Sequence, residues 1–557
     1  MQTLRRLERA RAEFGAAAAA EKLACLRALE RTRLASTAAV LRLHEALCFL
    51  SAYPDDAAVL AQVTRMLAGF ARRADLRRHA ARLADTGIAG TAIRYPFFAD
   101  TAAWLGERFP RELGLDWEVV DDELEQRLLD RLDPLVHYSE TPALDGADFT
   151  LRQWLARLKG PNESEGAFLA RRFAALAAEP FLREAYYDEL GLPLVLAPGP
   201  RTPSRTLARA PLSAGEPVFQ RGPLRHGRPD LGVALARRPR VRTLSRAEGA
   251  GMIQLAREAM VTRQRDLDVF VYGDPDDVRR VECGDGLAFA VIGFRPERRL
   301  LLEAVYAFLT LKNGVPIGYV LNSALFGSAE IAYNVFETFR GGEAAHVYGW
   351  VLSVVRHLFG VDSFTIYPYQ LGHENEEGLA SGAWWFYQRL GFRPRDPGAL
   401  RLMRSELARQ GQNAWHRSSR AVLKSLAAHN MYFSLGRARQ DVIGAVDLGA
   451  IGLATSAYLA RRFGSERERG ARVCAREAAQ RLGVRSFAGW SAGERLAWSR
   501  WAPVLLLLRD VEGWTVSERR AAVLAVRAKG GRRESDFVRR FDAHPKLRAG
   551  LLRLARG

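Results

Sequence analysis

The stretch Ala383-Trp384-Trp385-Phe386-Tyr387-Gln388-Arg389-Leu390-Gly391-Phe392 reads as the last turns of an aromatic helix that stops at a glycine. Leu379, Ala383, Phe386 and Leu390 recur at helical spacing and form the expected buried stripe, with Tyr387 one residue, about 100°, to its side. Just upstream, residues 363–369 are rich in β-branched and aromatic side chains and predict a strand. Further back, apolar runs at 304–310 and 315–325 predict two strands joined at Lys312-Asn313-Gly314, because Asn-Gly supplies the φ > 0 that a two-residue hairpin turn needs. A third run, 330–336, leads to Arg340-Gly341-Gly342. A helix follows, with Val347, Tyr348, Val351, Leu352, Val355 and Leu358 on one apolar face and Gly360 at its end.

This order of a strand meander, a glycine turn into a helix, a strand, and a helix ending in Ala-x-x-Phe-Tyr-x-x-x-Gly-Phe resembles the GNAT superfamily of acyl-CoA-dependent N-acyltransferases. The resemblance covers roughly residues 246–410. It implies a multidomain α and α/β chain, in which a central GNAT-like mixed sheet is flanked by helical N- and C-terminal domains. It also implies acyl-CoA as co-substrate, acetyl-CoA first among the candidates, an amine-bearing acceptor (small molecule or protein), and no metal.

In this family a glycine-rich turn holds the pyrophosphate of CoA on backbone N–H groups at a helix start, where free donors and the positive dipole end coincide. The resemblance places that role on Arg340, Gly341, Gly342, Ala344 and Ala345. The motif is Gln/Arg-x-x-Gly-x-Gly/Ala. Read from Arg340, Ala345 fits but Glu343 stands at the central glycine; read from Thr338, Gly341 is central and Glu343 is last. A carboxylate near a phosphate is repulsive, so the direction of Glu343 decides whether the turn fits the ligand. The family's general acid maps onto Tyr387, whose hydroxyl would protonate the departing thiolate. Ser328-Ala329-Glu330-Ile331-Ala332-Tyr333 is similar to the strand on which histone-type members carry a base, which points to Glu330, where burial between apolar residues raises a carboxyl pKa. Glu337 has the opposite strand parity. Where the family often carries Asn, this chain has Ala380.

Gly372-His373-Glu374-Asn375-Glu376-Glu377-Gly378 lacks the His-x-x-x-His spacing that sets two metal ligands on one helix face, and reads as an exposed acidic loop. The resemblance implies that this loop lies on the acceptor side, where it would receive a cationic amine. A second reading keeps the fold without the chemistry: a binding or scaffold protein with a degenerate CoA site.

The 557 residues, 48% hydrophobic, with a mean hydropathy of −0.15, describe a multidomain globular chain rather than a disordered one. No run approaches the ~18 apolar residues of a spanning helix, and the N-terminal residues lack an apolar signal region. Cys25, Cys48, Cys283 and Cys474 are scattered, as reduced thiols would be; the expected location is cytoplasmic. Residues 1–190 read as a helical domain, with Asp55 a cap. Residues 191–245 form a Pro/Arg-rich linker with ten Arg against two acids. Residues 246–410 make the acyltransferase-like domain; 241–244, just before it, and 269–272 within it are strand-like, and Gly273–Asp277 is an acidic turn. Residues 411–557 read as a basic helical bundle to the end, with 28 Lys and Arg against 12 acids. That excess accounts for most of the net charge of +19 and makes nucleic acid or an anionic surface a conceivable partner.

Overall fold

A computed structural model describes residues 2–212 and 215–556. The chain forms two compact units: Met1–Pro223 with Ile253–Val271 and Asn313–Pro316, and Leu224–Met252 with Tyr272–Lys312 and Ile317–Gly557.

The first unit is mainly helical. Helices Ala16–Arg31, Thr37–Ala52 and Ala57–Ala68 pack through Leu26, Leu29, Leu43, Leu47, Val59 and Val63. Asp56, not Asp55, caps the third of these, accepting from the Val59 N–H at 2.8 Å. Asp55 is instead drawn into the interior by Lys22, whose Nζ lies 2.9 Å from it. A small antiparallel sheet sets β1 (Ile93–Tyr95) and β2 (Leu113–Leu115) on either side of β3 (Leu194–Leu196). The turn Asn313-Gly314 takes the conformation its sequence requires, φ 48° and 78°. Its Asn313 Nδ2 donates to the Ala52 and Val218 carbonyls at 2.9 and 3.0 Å, and the Gly314 carbonyl accepts from the Ala210 N–H at 2.8 Å.

The second unit is built on a nine-stranded mixed sheet. Its strands are β4 (Arg240–Thr243), β5 (Gly273–Gly284), β6 (Leu287–Phe294), β7 (Ala304–Lys312), β8 (Val315–Leu325), β9 (Ser328–Val335), β10 (Ser363–Ile366), β11 (Arg393–Pro394) and β12 (Met431–Ser434), in the order β11-β12-β10-β9-β8-β7-β6-β5-β4. β9 and β10 run parallel, with the helix Ala344–Phe359 crossing between them. The other registered pairs are antiparallel.

Three local readings of the sequence are corrected here. Gly273–Asp277 is the irregular start of β5, opposite β6 through a register shift between Gly273 and Val278, and 268–271 is a helical turn rather than a strand. Two of the acids there are buried against partners: Tyr306 and Arg279 take Asp277, and Arg299 faces Asp274, while Asp276 pairs with Arg246 nearer the surface. Second, the segment after 411 is not wholly helical. Met431–Ser434 threads between β10 and β11, pairing Phe433 with Phe364 and Met431 with Pro394, because its alternating apolar residues complete an otherwise open edge. Third, the helix at Ala383 starts afresh after Gly382, at φ 69°. Leu379 lies on a separate helix, Glu376–Ser381, so its phase does not carry over. The deeply buried face of Ala383–Leu390 is Trp384, Trp385, Tyr387, Gln388 and Leu390, with Ala383 and Phe386 only partly covered.

The C-terminal helices Leu448–Phe463, Arg467–Leu482, Ala492–Leu507, Val516–Lys529 and Glu534–Asp542 share one apolar core with the sheet, to which Trp498, Trp501, Phe537 and Phe541 contribute. A buried polar seam reinforces this: the Ser535 N–H donates to the Tyr306 hydroxyl at 2.8 Å, and Arg279 Nη1 donates to Ser535 Oγ at 3.0 Å. Among the described residues, no helix is long and apolar enough to cross a membrane.

Candidate active site

β9 and β10 share only three rungs, Ser328 with Ser363, Ala329 with Phe364, and Glu330 with Thr365. Past Glu330, β9 continues to Val335 against β8 alone. β10 itself ends one residue beyond the last shared rung, at Ile366, and the carboxyl ends of parallel strands are where open α/β sheets present ligands. Glu330 occupies the last shared rung.

The register sets a polar row on one face of the sheet here: Ser323, Glu330, Thr365 and Tyr432 lie on successive strands. Ser323 Oγ donates to Glu330 Oε2 at 3.3 Å. Thr365 Oγ1 donates to the Ile443 carbonyl at 2.7 Å, and the Tyr432 hydroxyl to the Gly444 carbonyl at 2.9 Å, so the segment around Ile443-Gly444 closes over one end of the row. Glu330 keeps a partly exposed side chain. Burial pushes its carboxyl up to about 7, opposed by the Ser323 hydrogen bond and assisted by the nearby charge of Glu303.

Tyr387 reaches the same place from the helix behind. Its residue is 3% exposed, and its hydroxyl receives the backbone N–H of Tyr333, a residue of β9 beyond the rungs shared with β10. Burial and then the Glu330 carboxylate hold its pKa well above the usual phenol range. Glu330 and Tyr387 are thus brought together, although 57 positions separate them in the sequence. Glu337 is placed elsewhere, exposed in the helical turn Glu337–Phe339.

The glycine turn stands at the start of the crossover helix. Gly341 takes φ 79°, and a Cβ built there meets nothing within 4 Å. The helix has no side-chain cap. Among the described residues, the N–H groups of Glu343, Ala344, Ala345 and His346 donate to no protein acceptor, which leaves a set of convergent donors. Arg340 is already engaged: its guanidinium pairs with Glu377, and Nε donates to the Val335 carbonyl at 3.3 Å. Gly342 is buried, its N–H donating to the Phe339 carbonyl at 3.2 Å.

Glu343, whose direction decides the fit, is 7% exposed and held from two sides. Lys312 Nζ lies 3.2 Å from Oε2, and the Arg225 backbone N–H donates to Oε1 at 3.3 Å. A buried lysine neutralises this carboxylate, so the residues present fit an anionic group on the turn. Neither Lys312, which stands next to the Asn-Gly turn, nor Arg225 in the Pro/Arg-rich segment carries a sequence signal for this role.

The acidic loop is less open to a cation than its sequence implies. Asn375 caps the next helix, accepting from the Gly378 N–H at 3.0 Å, while Glu376 pairs with Arg420 and Glu377 with Arg340. Among the described residues no group of three or more His, Cys, Asp or Glu could hold a metal ion. Compared with known proteins, the chain matches no family model, no curated protein and no solved structure.

Proposed function

We propose that this protein is an acyl-CoA-dependent N-acyltransferase with a GNAT-like central domain. The observation that carries the reading is the meeting of Glu330, on the last rung that β9 and β10 share, with Tyr387, whose hydroxyl accepts from the Tyr333 N–H. The sheet order, with one parallel pair spanned by a helix that starts at a glycine turn, supports the same reading.

Acyl-CoA, when bound, supplies an activated acyl carbonyl and a thiolate leaving group. The turn at Arg340–Ala345 offers backbone donors to its diphosphate, with Lys312 holding the Glu343 carboxylate back from them. Glu330, with a pKa of about 7, is available as carboxylate near neutral pH to take a proton from the acceptor ammonium. Tyr387 retains its phenolic proton in this buried setting and delivers it from Oη to the departing sulfur.

Calorimetric titration with acetyl-CoA and longer acyl-CoAs tests the first requirement, and absence of binding by all of them defeats the proposal. In a transfer assay against a panel of amines, Tyr387→Phe and Glu330→Gln should each lower kcat by about 10²–10⁴-fold. If both variants bind acyl-CoA and their turnover is unchanged, the fold serves as a binding or scaffold module instead.

A further inference from the structure

The crossover helix Ala344–Phe359 brings a second phenol into the site. Tyr348 is 0% exposed, and its hydroxyl has no hydrogen-bond partner among the described residues. Its ring lies 5.4 Å from that of Tyr333, 5.5 Å from Tyr387 and 5.9 Å from Phe386, edge to face with the last two. The neighbouring phenols are both satisfied. The Tyr333 hydroxyl donates to the Ala344 carbonyl at 3.3 Å, and the Tyr387 hydroxyl receives the Tyr333 N–H. Tyr348 alone of the three carries an unmatched oxygen.

A buried hydroxyl without a partner is destabilising, by about as much as a lost hydrogen bond. Phenylalanine would fill the same aromatic wall and bury the same ring without that cost. Packing therefore accounts for the ring of Tyr348 and not for its oxygen. The oxygen also stands in the field of the groups assigned to the chemistry, since Tyr387 and Glu330 both act on it. It holds its proton there, so it is a hydrogen-bond donor.

We propose that Tyr348 is a specificity-determining residue of the transfer site, its hydroxyl donating to the carbonyl oxygen of the bound acyl group. This rests on the acyltransferase reading above. A site whose buried polar group is paired only by the correct ligand discriminates against ligands lacking the matching atom. Free CoA lacks that carbonyl, and so does an S-ethyl thioether analogue, which otherwise matches acetyl-CoA in shape.

The test compares dissociation constants for CoA, acetyl-CoA and S-ethyl-CoA, measured by calorimetry on wild type and Tyr348→Phe. Wild type should bind acetyl-CoA about tenfold more tightly than the thioether, and Tyr348→Phe should abolish that preference while leaving CoA unchanged. The ligand-free variant should melt at the same temperature as wild type or higher, because the unmatched hydroxyl is gone. Equal weakening of all three ligands, or an intact preference in the variant, overturns the assignment of Tyr348 alone. Failure of wild type to bind any of the three instead removes the acyltransferase reading, and this inference with it. The thioether comparison needs no variant, so the proposal remains testable if Tyr348→Phe misfolds.

Discussion

Replacing Glu330 with Gln should stabilise the protein at pH 8 and leave it nearly unchanged at pH 4. In the folded state the Glu330 carboxyl is pushed from 4.5 up to about 7, chiefly by burial. The unfolded chain therefore releases this proton at lower pH than the folded one. Between those values the folded state binds more protons, and stability falls as pH rises. Above about pH 7 the full penalty of a buried carboxylate is present; below about pH 4 it is absent. At about 1.4 kcal/mol per pH unit, an interval of about 2.5 gives about 3 kcal/mol. Partial exposure of the side chain to solvent screens some of this, so the value is an upper bound. Gln keeps the size and can still accept from Ser323, so the difference isolates the charge. Thermal melts of wild type and Glu330→Gln, taken at half-unit steps from pH 4 to 9, should diverge through pH 5–7, with the variant melting higher by roughly 5 °C at pH 8. Parallel curves, or a variant less stable at high pH, would mean that Glu330 is an ordinary carboxylate and not a base poised near neutrality.

Two further perturbations probe the supports of the site. Lys312→Met leaves the Glu343 carboxylate buried without its cation and should destabilise by about 3–5 kcal/mol, whereas Lys312→Met with Glu343→Gln should recover most of it. A urea-denaturation double-mutant cycle reads this, and additive losses would remove the pairing argument. Gly444→Ala should cost roughly 2–3 kcal/mol, because φ is 84° and the new Cβ would stand 2.8 Å from Thr365 Cγ2 and 2.9 Å from Asn430 Nδ2. Gly452→Ala, on an exposed helical surface with open space around it, should instead stabilise by up to about 1 kcal/mol, and equal effects at both positions would contradict the packing seen around Ile443-Gly444.

Much of the framework of both units is written in local patterns. The Asn313-Gly314 turn was legible because only a few residue types accept two successive positive φ values. The Ala344–Phe359 helix was legible because its apolar face repeats with the helical period and Gly360 ends it at φ 76°. The free donors at its start follow from any helix that begins without a side-chain cap, as this one does at Ala344 after the glycine turn. Patterns failed where burial overrode local type. The acids of Gly273–Asp277 look like a turn but sit in a strand, since Arg299, Arg279 and Tyr306 pair with them from elsewhere in the chain. The strand Met431–Ser434 is four residues long, too short to stand out inside a helical region, and its identity comes from the sheet edges it joins.

For the site, Glu330 and Tyr387 became candidates through the resemblance of the short stretches around them to the GNAT superfamily, each stretch being visible on its own. Their juxtaposition depends on where the pairing of β9 with β10 stops, and so on both strands at once. The sign of Glu343 as help or hindrance was not decidable from the turn at Arg340–Ala345. That sign belongs to Lys312, 31 residues earlier, which only the fold brings to 3.2 Å. Periodicity and turn chemistry are read within a few residues of chain. The charge balance of a buried group is set by whatever the tertiary structure places around it.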